Sequence, residues 1–265
     1  MQTVYLRSFA EEMMGWSNPR HKLELALRDN QFLLFAQRIL PLTPGLRECY
    51  EILLRLREEE DNLLPPGGFI PVAENYGMME DIDCWVVRNL LGWFERRLRS
   101  EPGWQPPIFC VNLSLSSFGS FQFARFVRRE LEGSRVPPDS LCFELNEIDA
   151  IAQPDSARAF VAALKPAGCR FTLDGFGSAR VSFAHVKGLA IDFLKIDGHL
   201  TQHILRSRMQ LAKVKAINTA CQRFGMRTIG AFVETDETLA KLREIGVDYA
   251  QGFGIAPPGP IGQLR

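Results

Sequence analysis

Short apolar segments recur along this chain, and most of them close on a polar residue. Cys49–Arg55 carries Glu51, Pro107–Asn112 ends in Asn112, and Ser140–Leu145 carries Glu144. Arg170–Asp174 ends in Asp174, Asp192–Ile196 holds Lys195 and runs into Asp197, and Val247–Gln251 ends in Gln251. Phe32–Gln37 and Arg227–Gly230 complete the series. The segments are short and show little polar alternation, the pattern of strands in a parallel sheet buried on both faces. Helical periodicity fills the gaps: Lys22–Arg28, Met79–Leu98, Phe121–Leu131, Ser156–Lys165, Arg206–Phe224 and Asp236–Ile245. In Met79–Leu98, for example, Trp85, Val86, Leu90, Leu91 and Phe94 recur at helical spacing. Eight strands interleaved with helices predict an α/β chain with a (β/α)8 TIM-barrel-like fold. A doubly wound open sheet competes, but no GxGxxG follows the first strand. Leu63-Leu64-Pro65-Pro66-Gly67-Gly68 predicts a turn.

Charge narrows the function classes. Lys plus Arg and Asp plus Glu each number 31, so the chain lacks the basic excess of a duplex-DNA binder, and no nucleic-acid partner is expected. No segment approaches the ~18 apolar residues of a membrane span, and the first residues lack a signal-peptide layout. Cys49, Cys84, Cys110, Cys142, Cys169 and Cys221 form no CxxC pair and read as reduced thiols of a cytoplasmic protein. His199 and His203 lie four apart without an HExxH, which predicts a solvated face rather than a zinc site.

In a barrel the C-terminal strand ends converge on one face. A polar residue at one strand end is most often a cap or loop anchor. Here Glu51, Asn112, Glu144, Asp174, Lys195, Asp197 and Gln251 recur on successive strands. Carboxylates and carboxamides are hard donors that suit Mg²⁺, Mn²⁺ or Ca²⁺, and such a metal suits a phosphate-bearing ligand. No Ser-His-Asp or Cys-His arrangement is visible, which disfavours acyl chemistry.

At these same residues the chain resembles the EAL domain family, bacterial phosphodiesterases that linearise cyclic di-GMP. The resemblance runs from about Leu23 to Pro258. Glu51-Ile52-Leu53-Leu54-Arg55 stands at the signature segment, with Ile52 where the name-giving Ala sits. Phe69–Glu74 is similar to FIPxAE, Val111–Ser114 to VNLS, Glu144–Glu147 to ExTE and Asp174–Ser178 to DDFGT. Leu194–Asp197 is similar to LKID, Ala231–Thr235 to EGVET and Gln251–Phe253 to QGF.

The resemblance implies a barrel with a two-metal site at its mouth. Glu51, Asn112, Glu144 and Asp174 match the first metal's ligands, and Lys195 matches a lysine that assists the attacking water. Arg55 matches a residue gripping a ligand phosphate, and Gln37 and Asp83 match positions lining the nucleotide pocket, beside Gln251. Glu147 matches the anchor of the mobile loop after DDFG. The second metal's family ligands are replaced by Gly175 and Ala231, neither of which carries a side-chain ligand. Asn146 for Thr, Ala179 for Gly and Arg38 for Pro are lesser departures. A hard cation takes about six oxygens, so the second metal is expected to be lost and two-metal hydrolysis with it. The first-metal residues then either still bind Mg²⁺ or Mn²⁺, or hydrogen-bond one another, Lys195 and water. Phe232 replaces the Gly of EGVE; it packs in its loop or stacks on a guanine, and an aromatic there is also similar to degenerate EAL receptors that regulate type IV pili.

The leading expectation is a catalytically degenerate EAL domain that binds cyclic di-GMP as a receptor and requires no cofactor. The alternatives are a slow metal-dependent phosphodiesterase giving pGpG, and a protein-interaction module without nucleotide. Residues 1–20 resemble the end of a junction with an upstream GGDEF or sensory domain, and 21–265 make up the EAL domain. A downstream effector protein and a homodimer, the latter through Gly175–Val186, are expected partners.

Overall fold

The structure, a computed structural model, describes residues 16–58, 62–178, 183, 184, 186 and 188–264. Ala179 and most of the leader lie outside them, as does part of the Gly175–Val186 segment.

Asn18 opens the first helix, α1 (Pro19–Arg28), by accepting a hydrogen bond from the His21 amide at 3.3 Å. The helix thus starts before the expected Lys22, and Trp16 ahead of it is buried, its indole donating to Glu58 at 2.7 Å. The chain continues through β1 (Phe32–Pro41), β2 (Cys49–Arg57), β3 (Leu63–Leu64), α2 (Pro66–Asn75) and α3 (Met79–Ser100). Next come β4 (Ile108–Asn112), α4 (Leu115–Phe118), α5 (Phe121–Glu132), β5 (Leu141–Asn146), α6 (Glu147–Ala152) and α7 (Pro154–Leu164). It ends with β6 (Arg170–Phe176), β7 (Phe193–Ile196), α8 (Gly198–Gln202), α9 (Arg208–Arg223), β8 (Arg227–Gly230), α10 (Asp236–Ile245), β9 (Tyr249–Ala250) and β10 (Gly259–Pro260).

Strands β2, β4, β5, β6, β7, β8 and β9 pair in parallel, and β1 closes the ring between β9 and β2. The expected α/β barrel is therefore present, with one correction. β1 is antiparallel to both neighbours. The segment from Leu42 to Glu48 explains this: a parallel crossover needs about a dozen residues, and this connection is a tight return. The predicted turn at 63–68 is a short strand running into α2, with Pro66 in the first turn, where its missing amide hydrogen costs nothing.

Alternation along the strands separates two apolar layers. Ile39, Cys49, Ile108, Cys110, Cys142, Phe193, Ile229 and Tyr249 fill the barrel interior. Phe109, Val111, Phe143, Phe171 and Leu194 face outward against the helices. All six cysteines are free thiols, and all but Cys84 are buried, as expected. The interior is sealed below by these side chains, so the polar residues two positions further along each strand collect at the C-terminal mouth.

Candidate functional site

At the mouth, Glu51 on β2 is the hub. Its Oε1 accepts from Asn112 Nδ2 at 2.6 Å, and its Oε2 accepts from Lys195 Nζ at 2.7 Å and Gln251 Nε2 at 2.7 Å. Lys195 also donates to Glu144 Oε2 at 3.0 Å. Gln251 donates in turn to Gln37 Oε1 at 3.1 Å, and Gln37 donates to the Ala256 carbonyl at 3.0 Å. Six predicted residues, drawn from five strands and the segment after β9, thus form one connected network. Register explains the meeting: Gln37 pairs with Glu51 across β1 and β2, and Asn112 pairs with Glu144 across β4 and β5.

The electrostatics follow from burial. Burial raises the Glu51 carboxyl, but the adjacent Lys195 charge and the hydrogen bonds from Lys195, Asn112 and Gln251 outweigh it and hold the group below its ordinary value. Glu144, 1% exposed, is driven well above the carboxylate range by burial; Lys195 opposes this and the Glu51 charge adds to it. Asp174 is raised for the same reason. Burial disfavours charge on Lys195, yet Glu144, Glu51 and Asp174 together raise it well above an ordinary lysine. Lys195 is therefore an ammonium already engaged by two carboxyl groups, not a free positive charge awaiting a ligand.

Asp83 and Asn112 line a cleft of about 980 Å³ beside this network, with Ile70, Glu74 and Leu54 among its other walls. Burial pushes the Asp83 carboxyl up to about 6, against hydrogen bonds from Ser117 and Ser114. Its Oδ2 accepts from Ser117 Oγ at 2.6 Å, Ser114 Oγ at 2.7 Å and the Ser114 amide at 3.0 Å. Arg55 sits near the C-terminal end of β2, donating to the Leu54 carbonyl at 2.7 Å with its guanidinium 5.1 Å from the Phe35 ring centroid. Glu147 accepts from the Gly177 amide at 3.1 Å and so ties α6 to the turn after β6. Phe232 lies on the far rim, 61% exposed. His199 and His203 are exposed, as expected.

The two positions that the resemblance assigns to a second metal carry no side-chain donor. Gly175 sits at φ 75°, in the left-handed region, where β6 shifts register, and its amide donates to Asp174 Oδ1 at 2.8 Å. Ala231 is a buried methyl. Glu234, nearest in sequence, is exposed and accepts from Gln202 at 3.4 Å. The first-site donors have the right chemistry for one Mg²⁺ or Mn²⁺, and buried Glu144 Oε1 has no partner among the described residues. Among the described residues, however, no three His, Cys, Asp or Glu side chains group closely enough to hold a metal. With no side-chain donor at 175 or 231, the residues do not fit a two-ion centre.

Sequence reasoning missed Ser117 and the Ala256 carbonyl. Ser117 lies on a helix of four residues, too short for periodicity, and a backbone carbonyl carries no residue-type signal.

A closed barrel whose one mouth gathers carboxylates, carboxamides and a buried lysine is a TIM-barrel-like domain with a ligand-facing C-terminal rim. Residues 20–258 match the EAL domain, and the chain belongs to that family. A curated relative, cyclic di-GMP phosphodiesterase PdeB of Shewanella oneidensis, is 32% identical over 91% of this chain and 28% of its own length. The EAL domain of Xanthomonas citri FimX, solved in complex with c-di-GMP, superposes with a TM-score of 0.87 at 29% identity, covering 96% of this chain and 98% of that one. That of Pseudomonas aeruginosa FimX, also bound to c-di-GMP, gives 0.85 at 28% identity, covering 92% and 97%. The chain spans about a third of the length of the curated relatives it matches.

Proposed function

We propose that this domain binds cyclic di-GMP as a receptor and does not hydrolyse it. The observation that carries this reading is the pair Gly175 and Ala231, which place no donor where a second cation would sit. Two-metal hydrolysis uses both ions to generate and aim the attacking hydroxide. With Lys195 held between Glu51 and Glu144, its ammonium offers no acceptor for a water proton. Support for the ligand comes from the FimX EAL domains, whose structures contain c-di-GMP, and from the retained Gln37, Arg55, Asp83 and Gln251.

The chain's own residues suffice for recognition. Arg55 supplies a cation at the rim for a phosphate. The Asp83 carboxylate at the cleft is an acceptor suited to the N1–H and N2–H donors of guanine. The missing carboxylates at 175 and 231 lower the negative charge facing a dianion, which removes a need for metal to offset repulsion. Should one Mg²⁺ or Mn²⁺ bind, Glu51, Asn112, Glu144 and Asp174 would hold it, and it would supply charge neutralisation for the phosphates.

The test is incubation of the protein with cyclic di-GMP in Mn²⁺, with chromatography for linear pGpG. No product above the buffer control is expected. Product that disappears in Glu51→Ala would overturn the receptor reading in favour of a slow phosphodiesterase like the relatives.

A further inference from the structure

Phe232 and Gly198 meet at the barrel rim in a way the fold alone does not require. Phe232 has φ 56°, and it and Asn30 are the non-glycine residues with positive φ among the described residues. That conformation is costly for a residue with a side chain. The ring is nonetheless 61% exposed, so burial does little to offset the cost. Such strain, in an aromatic left facing solvent, is of the kind that clusters at ligand-binding sites.

The ring is also seated. It rests on Gly198, the first residue of α8, where an added Cβ would lie 2.2 Å from Phe232 Cδ2, 2.6 Å from Cγ and 2.9 Å from Cβ. Gly198 has no positive φ, so its backbone conformation does not call for a glycine. Close approach of the ring is what the glycine serves. The floor beneath is fixed: Asp197 caps α8 by accepting from the His199 amide at 2.9 Å, and the Ala231 amide donates to the Ile196 carbonyl at 3.4 Å.

We propose that Gly198 is a positioning residue whose missing side chain seats the Phe232 ring on the start of α8 and makes its outer face a stacking platform for one guanine. This rests on the cyclic di-GMP reading above. The pair works as a unit: a side chain at 198 and an aromatic at 232 exclude each other in this geometry.

The experiment is a double-mutant cycle with Gly198→Ala and Phe232→Ala, read by calorimetric titration with cyclic di-GMP. A merely structural glycine predicts an unchanged or higher Tm in Gly198→Ala and unaltered binding, since alanine restricts the unfolded chain at a φ it can adopt. The platform predicts an equal or higher Tm with affinity weakened about tenfold, and no further loss when Gly198→Ala is added to Phe232→Ala. A 2-aminopurine analogue of the dinucleotide should lose its stacking-dependent fluorescence quenching in both single variants. Unchanged affinity in Gly198→Ala, or an equal loss in both backgrounds, would overturn the proposal. Ligand-free aromatic NMR separates the two readings. If the unaltered protein takes up no dinucleotide, the receptor reading falls. If the Phe232 ring signals, assigned by their loss in Phe232→Ala, do not move in Gly198→Ala, the seat itself falls.

Discussion

Lys195 shows how the neighbours of a buried side chain fix its charge. It lies 2.7 Å from Glu51 and 3.0 Å from Glu144, deep in the mouth. Breaking a buried ion pair by removing one partner leaves uncompensated charge and typically costs about 3–5 kcal/mol. Lys195→Met should therefore lower the urea-unfolding free energy by about 3 kcal/mol at pH 7.5. Without the ammonium, burial raises the folded-state value of Glu51 above its unfolded one, whereas Glu144 is raised already with Lys195 in place. The deficit should then shrink as pH falls and the Glu51 carboxyl takes up a proton. A deficit that is absent, or flat between pH 5 and pH 7.5, would contradict the pairing. These positions were legible in the sequence because each polar residue ended an apolar run. What was not legible was the engagement of Lys195: residue type gives a charge, and only the register of β2, β5 and β7 shows which carboxyls neutralise it.

At the scale of elements, the long helices and the barrel strands stand out because their periods repeat several times. The helices Leu115–Phe118, Glu147–Ala152 and Gly198–Gln202 are too short to repeat a period, yet they follow the strand ends and supply Ser117, Glu147 and Gly198 to the rim. The antiparallel β1 was hidden for a different reason: burial on both faces looks alike in either direction, and only the short return before Cys49 sets the sense. Capping decides where the rim loops stop. Thr235 ends the loop carrying Ala231 and Phe232 by accepting from the Thr238 amide at 3.2 Å. Thr235→Ala should cost about 1 kcal/mol of stability, and Thr235→Ser should retain most of it, as measured by urea denaturation. Equal stability of the alanine variant would remove the cap from the account.

At the scale of the whole molecule, charge is balanced overall and unbalanced locally. The chain sums to zero, so long-range attraction of a dianion is weak, and on the receptor reading recognition rests on the mouth and the cleft beside it. Asp83 is the buried group through which pH reaches that cleft. Its folded-state value is about 6 against an ordinary 3.8. Between these values the folded protein holds the proton more tightly than the unfolded chain, so the contribution of Asp83 to stability falls as pH rises from about 4 to 6. Asp83→Asn removes that titration. The stability of the unaltered protein relative to the variant should decline by about 3 kcal/mol across this window. A constant difference in urea titrations from pH 4 to 7 would contradict the burial argument.

Calorimetric titration in excess EDTA tests the proposed metal-free recognition of cyclic di-GMP most directly. Saturable heat with tens of micromolar ligand or less, unchanged on adding Mg²⁺, is the expected result. No heat in EDTA at those concentrations, or binding that appears only with Mg²⁺ or Mn²⁺, would contradict it.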